Sequence, residues 1–137
     1  MDQLAQEHSI HVLKNESVSL PNMGVSLVGL EYPWNTEGSP TVPEGTFAIG
    51  LTHTPDNLSH FARLKASVSV AGHTHGGKLR LPLIGPLLVP SKFGRLLDYG
   101  WFSMQECYVF VSKGVGYFPG LCGSRGEVLK LRLEQSR

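Results

Sequence analysis

Apolar residues arrive along this chain in short runs broken by glycine, proline and asparagine, a pattern of strands and turns more than of long helices. Residues 10–13 (IHVL) form the first such run. Residues 24–30 (GVSLVGL) alternate as a neighbouring strand across the turn Leu20-Pro21-Asn22-Met23. Residues 32–45 hold three prolines and two glycines with few apolar residues, which predicts a surface loop. Residues 46–52 (TFAIGLT) read as a buried strand ending in His53-Thr54-Pro55-Asp56. From there, residues 57–65 place Leu58, Phe61, Ala62 and Leu64 at helical spacing. Residues 66–71 (ASVSVA) are a second buried-type strand that runs into Gly72-His73-Thr74-His75-Gly76-Gly77. Two further strands are expected at 108–112 and 128–133, with Gly114-Val115-Gly116 between them. A strand, a helix and a parallel strand in succession make a βαβ unit, whose ligand crevice lies at the strand C-termini.

The chain has 137 residues, 41% hydrophobic and 17% charged, which suits one α/β, strand-rich domain or part of one. A formal net charge of +1 supplies no basic stripe, so nucleic acid is not an expected partner. Two cysteines, Cys107 and Cys122, do not make a disulfide framework. They are expected as free thiols in a reducing, cytoplasmic setting. The N-terminal residues lack a basic segment followed by an apolar stretch, and no window is long enough to cross a bilayer.

The chemistry gathers on histidine. In an extended segment alternate side chains share a face, so His73 and His75 are expected to converge while Thr74 points away. The flanking glycines permit a tight loop. A third imidazole, His53, ends the parallel neighbouring strand, and three imidazoles in one crevice point to Zn, Mn or Fe. His8, His11 and His60 have no such context and read as surface or hydrogen-bonded residues. Asn15 and Glu16 are expected to serve a turn and hydrogen-bonding role, and Asp56 to cap the helix that follows Pro55. Lys113 and Arg125 are further candidates for a phosphate contact.

His53-Thr54-Pro55-Asp56 followed by Gly72-His73-Thr74-His75-Gly76-Gly77 resembles the last two motifs of the calcineurin-like metallophosphoesterase superfamily. Asn15-Glu16, residues 27–30, Lys78-Leu79-Arg80-Leu81-Pro82 and Ser112-Lys113-Gly114-Val115-Gly116 are similar to its bacterial phosphodiesterase or phosphohydrolase branch. The resemblance implies a four-layer α/β/β/α sandwich in which His53 and His73 ligate one divalent metal (Mn, Fe or Zn) and His75 the other. It also implies hydrolysis of a phosphomonoester or phosphodiester by in-line attack of a hydroxide held between the two metals. The earlier motifs of that family, D-x-H, G-D-x-x-D and G-N-H-[DE], do not occur in these residues, whose aspartates are Asp2, Asp56 and Asp98. Residues 1–137 are therefore expected to be the C-terminal half of the domain. The catalytic histidine and the bridging carboxylate would lie in the other half. The competing expectation is a noncatalytic metal-binding fragment, or the complementing half of a two-chain assembly. A homodimer or a complementary N-terminal half is the expected protein partner, because a lone half leaves a sheet face bare.

Residues 78–95 interleave Leu79, Leu81, Leu83, Ile84, Leu87, Leu88 and Val89 with prolines, between Lys78, Arg80, Lys92 and Arg95. They are expected either as a hairpin buried against the sheet or as a lid or membrane-surface loop that admits a lipid-like phosphoester.

Overall fold

The computed structural model describes residues 8, 10–33, 37–81, 83–115 and 126–134, with the backbone alone at 78–80. Eight strands are seen among them: β1 (Ser17–Leu20), β2 (Val25–Leu30), β3 (Phe47–Thr52), β4 (Val68–Ala71), β5 (Lys78–Leu81), β6 (Gly85–Leu88), β7 (Gly100–Met104) and β8 (Cys107–Val111). One short helix, α1 (Leu58–Arg63), joins β3 to β4. Six strands form one sheet in the order β1-β2-β3-β4-β8-β7, and β5 and β6 form a separate antiparallel hairpin. The four central strands, β2, β3, β4 and β8, run parallel, whereas the edge strands β1 and β7 are antiparallel to their neighbours. The molecule is thus a mixed α/β, strand-rich fold with few helices.

Register explains which residues form the core. Val28 lies opposite Gly50, Gly50 opposite Ser69, and Ser69 opposite Val109, so all four share one face of the sheet. All four are buried, and α1 covers them with Leu58 and Phe61, which are also buried. Gly50 makes this possible, since a Cβ there would stand 2.6 Å from the Phe61 ring. The small residue in the middle of TFAIGLT thus lets the helix approach β3 closely.

The opposite face is only partly covered. Leu27, Ile49 and Val70 are half-buried, while Leu51, Phe47, Trp101 and Tyr108 are exposed, the last two at 54% and 64%. Trp101 shields Phe110, with ring centroids 5.0 Å apart, and Phe110 is buried. The parallel strands therefore have an apolar sequence on both faces, as strands buried on both sides require, but among the described residues a helix covers one face alone.

Several local expectations are corrected. Residues 10–13 form no strand. The partner of β2 is Ser17–Leu20, joined to it through the short 3-10 turn Pro21–Met23. Residues 128–133 form no strand either: they alternate in exposure, but of the segment 126–134 only Glu127 N donates to a backbone carbonyl, that of Gly114, among the bonds seen. Leu131 and Leu133 instead line a cavity with Phe47, Trp101 and Tyr108. β7 was not anticipated, because it turns into β8 through Gln105 and Glu106, at φ 47° and 68°. Two-residue hairpin turns with both φ positive normally carry Asn-Gly or Asp-Gly, so the sequence hides this hairpin. Cys107 is a free, buried thiol whose burial pushes its pKa up, as an unreactive core cysteine requires. Gly116, Cys122 and Arg125 lie outside the described residues.

The half-covered face has a measurable consequence. Apolar area left in water forfeits about 25 cal/mol per Å², and large exposed patches seldom persist on a monomer. The 137-residue chain is expected to self-associate at micromolar concentration, and Leu51→Ser with Trp101→Ser to reduce that association. Light scattering checks this, and a monodisperse, cooperatively melting monomer contradicts it.

Candidate metal centre

Because β2, β3, β4 and β8 are parallel, their C-terminal ends meet along one edge of the sheet, where α/β folds place their ligands. His53 directly follows β3, the histidine loop 72–77 follows β4, and Lys113 follows β8. The first two loops are stitched together by Gly72 N donating to the His53 carbonyl at 3.0 Å. The His53 turn is itself pinned from below. Thr52 Oγ1 donates to the Leu30 carbonyl, and the buried Asn57 donates Nδ2 to both Thr52 Oγ1 and the Tyr32 carbonyl.

Within the histidine loop Thr74 is buried while His73 and His75 are half-buried, and the backbone is not the extended segment expected. His73 and His75 adopt φ of 70° and 52°, and Gly76 and Gly77 follow at 75° and 84°. Left-handed backbone disfavours a residue bearing a Cβ, at a cost of about 1–2 kcal/mol for each. The anchor that holds it is Thr74, which is fully buried and donates Oγ1 to the Asp98 carbonyl at 2.6 Å. Gly77 N closes the turn onto the Thr74 carbonyl at 2.7 Å. Gly77 is required for space as well, since a Cβ there would lie 2.3 Å from Pro86 of the hairpin.

This architecture brings His53 and His73 together. His53 Nε2 lies 3.0 Å from His73 Nδ1, with the rings inclined at 62°. His75 is turned toward the end of β8, its Nδ1 3.2 Å from the Lys113 carbonyl. A carbonyl only accepts, so Nδ1 is the donor, which leaves Nε2 as the nitrogen outside this contact and available to ligate. Burial and then repulsion from His73 and His75 hold the His53 pKa below the ordinary imidazole range, which favours the neutral form a metal requires.

The donor chemistry fits the imidazole part of a metal site. Two nitrogens bound to one tetrahedral cation at about 2.0–2.1 Å stand roughly 3.3 Å apart, close to the His53–His73 separation. Among the described residues, however, no group of three or more His, Cys, Asp or Glu side chains is placed to hold a metal ion. The pair and the single histidine need donors from elsewhere.

Other residues of the edge were less legible. Lys113 stacks its ammonium 3.8 Å above the Tyr99 ring, and its backbone N–H donates to the Glu127 carboxylate. Glu127, overlooked in the sequence, thereby secures the turn beside His75; an acid in an irregular segment gives no signal of such a role. Asp56 does not cap α1. Thr54 Oγ1 accepts from Asp56 N instead, while the Asp56 carboxylate receives Ser91 Oγ and Lys92 N and ties the 91–92 loop to the helix. Asn15 has the hydrogen-bonding role expected, but with residues distant in sequence, accepting from Glu31 N and donating to the Glu37 carbonyl. His60 stacks on Tyr32, and His11 lies beside Glu16 and lines a cavity together with His53.

A strand-rich α/β sheet with imidazoles at its parallel strand ends is consistent with part of an α/β metallophosphoesterase domain. Curated relatives agree. The chain is 32% identical over 131 residues to the phosphodiesterase YaeI of Escherichia coli, a match covering 90% of this chain and 47% of that protein. It is 31% identical over 70 residues to the uncharacterized metallophosphoesterase YkuE of Bacillus subtilis, covering 51% of this chain and 24% of that protein. These two homologues match in part and are consistent with the calcineurin-like metallophosphoesterase family, which implies divalent metals. The match to YaeI spans about half that protein's length, and the match to YkuE about a quarter. No family model matches, and no solved structure matches.

Two outcomes test this geometry. Thr74→Val is expected to destabilise the fold by about 1–3 kcal/mol by leaving the Asp98 carbonyl without its donor, measured by denaturant unfolding; an unchanged midpoint contradicts the anchor. His53 and His60 both have pKa values lowered in the fold, first by burial and then by neighbouring positive charge. The unfolded chain therefore binds their protons at higher pH than the folded one. Stability is expected to be full above about pH 6.5 and to fall as pH drops from there to the lowered folded values. A melting temperature that rises on acidification through that window contradicts the assignment.

Proposed function

We propose that these residues supply the histidine-rich half of a dinuclear metal centre that hydrolyses a phosphomonoester or phosphodiester. The observation that carries the reading is the 3.0 Å approach of His53 Nε2 to His73 Nδ1 at the ends of adjacent parallel strands, in a chain whose relatives are named phosphodiesterase and metallophosphoesterase. His53 and His73 would hold one cation and His75 Nε2 the other, with Mn, Fe or Zn as the candidates. When bound, such cations polarise phosphoryl oxygens and lower the pKa of water.

The chain's own contribution is positional. Thr74 fixes the loop, the Lys113 carbonyl orients the His75 ring, and the low His53 pKa keeps its lone pair available at neutral pH. Acid-base catalysis and the metal-bridging carboxylate would come from residues beyond these 137, since no aspartate stands near the cluster in a D-x-H or G-D-x-x-D context.

A second reading is favoured by the half-covered sheet face: a noncatalytic module that binds a metal and completes a separate N-terminal half. The two readings part in one experiment. Titration with Mn and Zn is expected to show binding that weakens at least about tenfold in His73→Ala, as loss of a ligand or its support does. The chain alone is expected to hydrolyse a simple aryl phosphodiester at most weakly. Joined to a segment carrying the three earlier motifs, it should turn over at enzymatic rates that His73→Ala removes. Metal binding indifferent to both His53→Ala and His73→Ala defeats the metal site. A completed chain that binds metal but stays inactive leaves the module.

A further inference from the structure

The hairpin that leaves the histidine loop departs from what a water-exposed turn requires. β5 and β6 pair with Leu81 opposite Gly85, and Leu83 and Ile84 lie in the connection between them. Where φ is positive in such a turn, Gly, Asn or Asp is the usual residue, for steric reasons and for solvation. Here Leu83 adopts φ 68° and is fully exposed, at 107%. Ile84, Leu87 and Leu88 are more than half exposed, and so is Leu96 in the adjoining 3-10 turn Gly94–Leu97, at 76%. Arg95 of that turn donates to the Ile84 carbonyl and holds the two parts together.

Charge identifies what these side chains face. Residues 78–97 contain Lys78, Arg80, Lys92 and Arg95 and no Asp or Glu, although the whole chain carries only +1. A second copy of the chain does not suit this surface, because a two-fold contact sets the same patch against itself and so brings cations to cations. Exposed aliphatic side chains at a tip, in a segment whose own sequence carries four cations and no carboxylate, with Asp56 from outside it bonded at Ser91 and Lys92, instead match a bilayer with anionic headgroups. The apolar groups enter the acyl boundary and the cations stay at the phosphates.

We infer that the β5–β6 hairpin, with the turn Gly94–Leu97, is a docking element for an anionic lipid surface. No helix among the described residues is long and apolar enough to cross a membrane, so the contact is interfacial. Pro86 and Val89 pack at Gly77, at the foot of the histidine loop, so docking sets the imidazoles near the headgroup plane. The inference stands on the hairpin alone and does not require the histidines to bind metal.

Vesicle flotation tests it, since aggregated protein does not float. The 137-residue chain is expected to float with phosphatidylglycerol-containing vesicles, much less with pure phosphatidylcholine, and to be released as salt approaches about 1 M. Leu83→Gly with Ile84→Ser removes the apolar tip while relieving the positive φ, so the fold is retained and partition should fall at least about tenfold. His73→Ala is expected to float like the parent, which separates this outcome from the fate of the metal reading. Failure to float, equal flotation on neutral vesicles, or indifference to the tip variant overturns the inference. So does an oligomer dispersed by the tip variant in a chain that binds no vesicles, which would assign the hairpin to a protein interface.

Discussion

The parallel ladder between β3 and β4 is the constraint on which the site depends. It sets Ile49 opposite Val68 and carries both strands to the same edge, so that the residue after β3 and the loop after β4 meet. The bond from Gly72 N to the His53 carbonyl extends that pairing by one more link, and the two imidazoles come within 3.0 Å as a result. A shift of one residue in this register would move every side chain of β4 to the opposite face. Ser69 and Ala71 would then leave the core and the loop anchor would lose its level. Gly50 guards against such a shift, because only a position without a Cβ fits beneath the Phe61 ring.

What was legible in the sequence follows from burial. β2, β3, β4 and β8 are apolar on both faces and α1 carries Leu58 and Phe61 on one side, so runs and helical spacing announce them. The edges are harder. β1 has serines at alternate positions and forms hydrogen bonds on one side only, and it is no more apolar than residues 10–13, which precede it outside the sheet. β7 is reached by a turn whose Gln105 and Glu106 carry none of the usual residues for positive φ. Residues 128–133 alternate like a strand but show no ladder among the described bonds, and alternation alone does not create one. At the site, the convergence of His53 and His73 was legible because strand ends and parallel order determine it. The conformation of the loop was not. An H-x-H sequence alternates its side chains both in an extended segment and in a turn held by a buried threonine, and the structure contains the second.

Left-handed backbone occurs at seven non-glycine residues among those described: Asn15, Lys65, His73, His75, Leu83, Gln105 and Glu106. His73 and His75 have left-handed φ, and Leu83 at the hairpin tip shares it. Strained conformations persist only where the surroundings determine them fully. For the histidines the surroundings are identifiable: Thr74 bonded to the Asp98 carbonyl, the Gly77 N–H bonded to Thr74, and the Lys113 carbonyl against the His75 ring. A loop tuned only for stability would place glycine or asparagine at these positions. The imidazoles occupy them instead, one beside His53 and the other against the Lys113 carbonyl.

Sheet faces and charges together divide the molecule into surfaces with different requirements. One face is closed by α1; the other exposes Phe47, Leu51, Trp101 and Tyr108 in positions that a second sheet would bury. The hairpin surface is of another kind, since residues 78–97 carry four cations and no carboxylate of their own, whereas the sheet face presents aromatic and aliphatic side chains across its strands. A sheet interface is satisfied by apolar packing alone, while desolvated lysine and arginine require anions. The two exposed apolar regions therefore call for different partners, and the histidine loop, bounded by Gly77 against the hairpin and by Gly72 against the β3 end, lies at the junction between them.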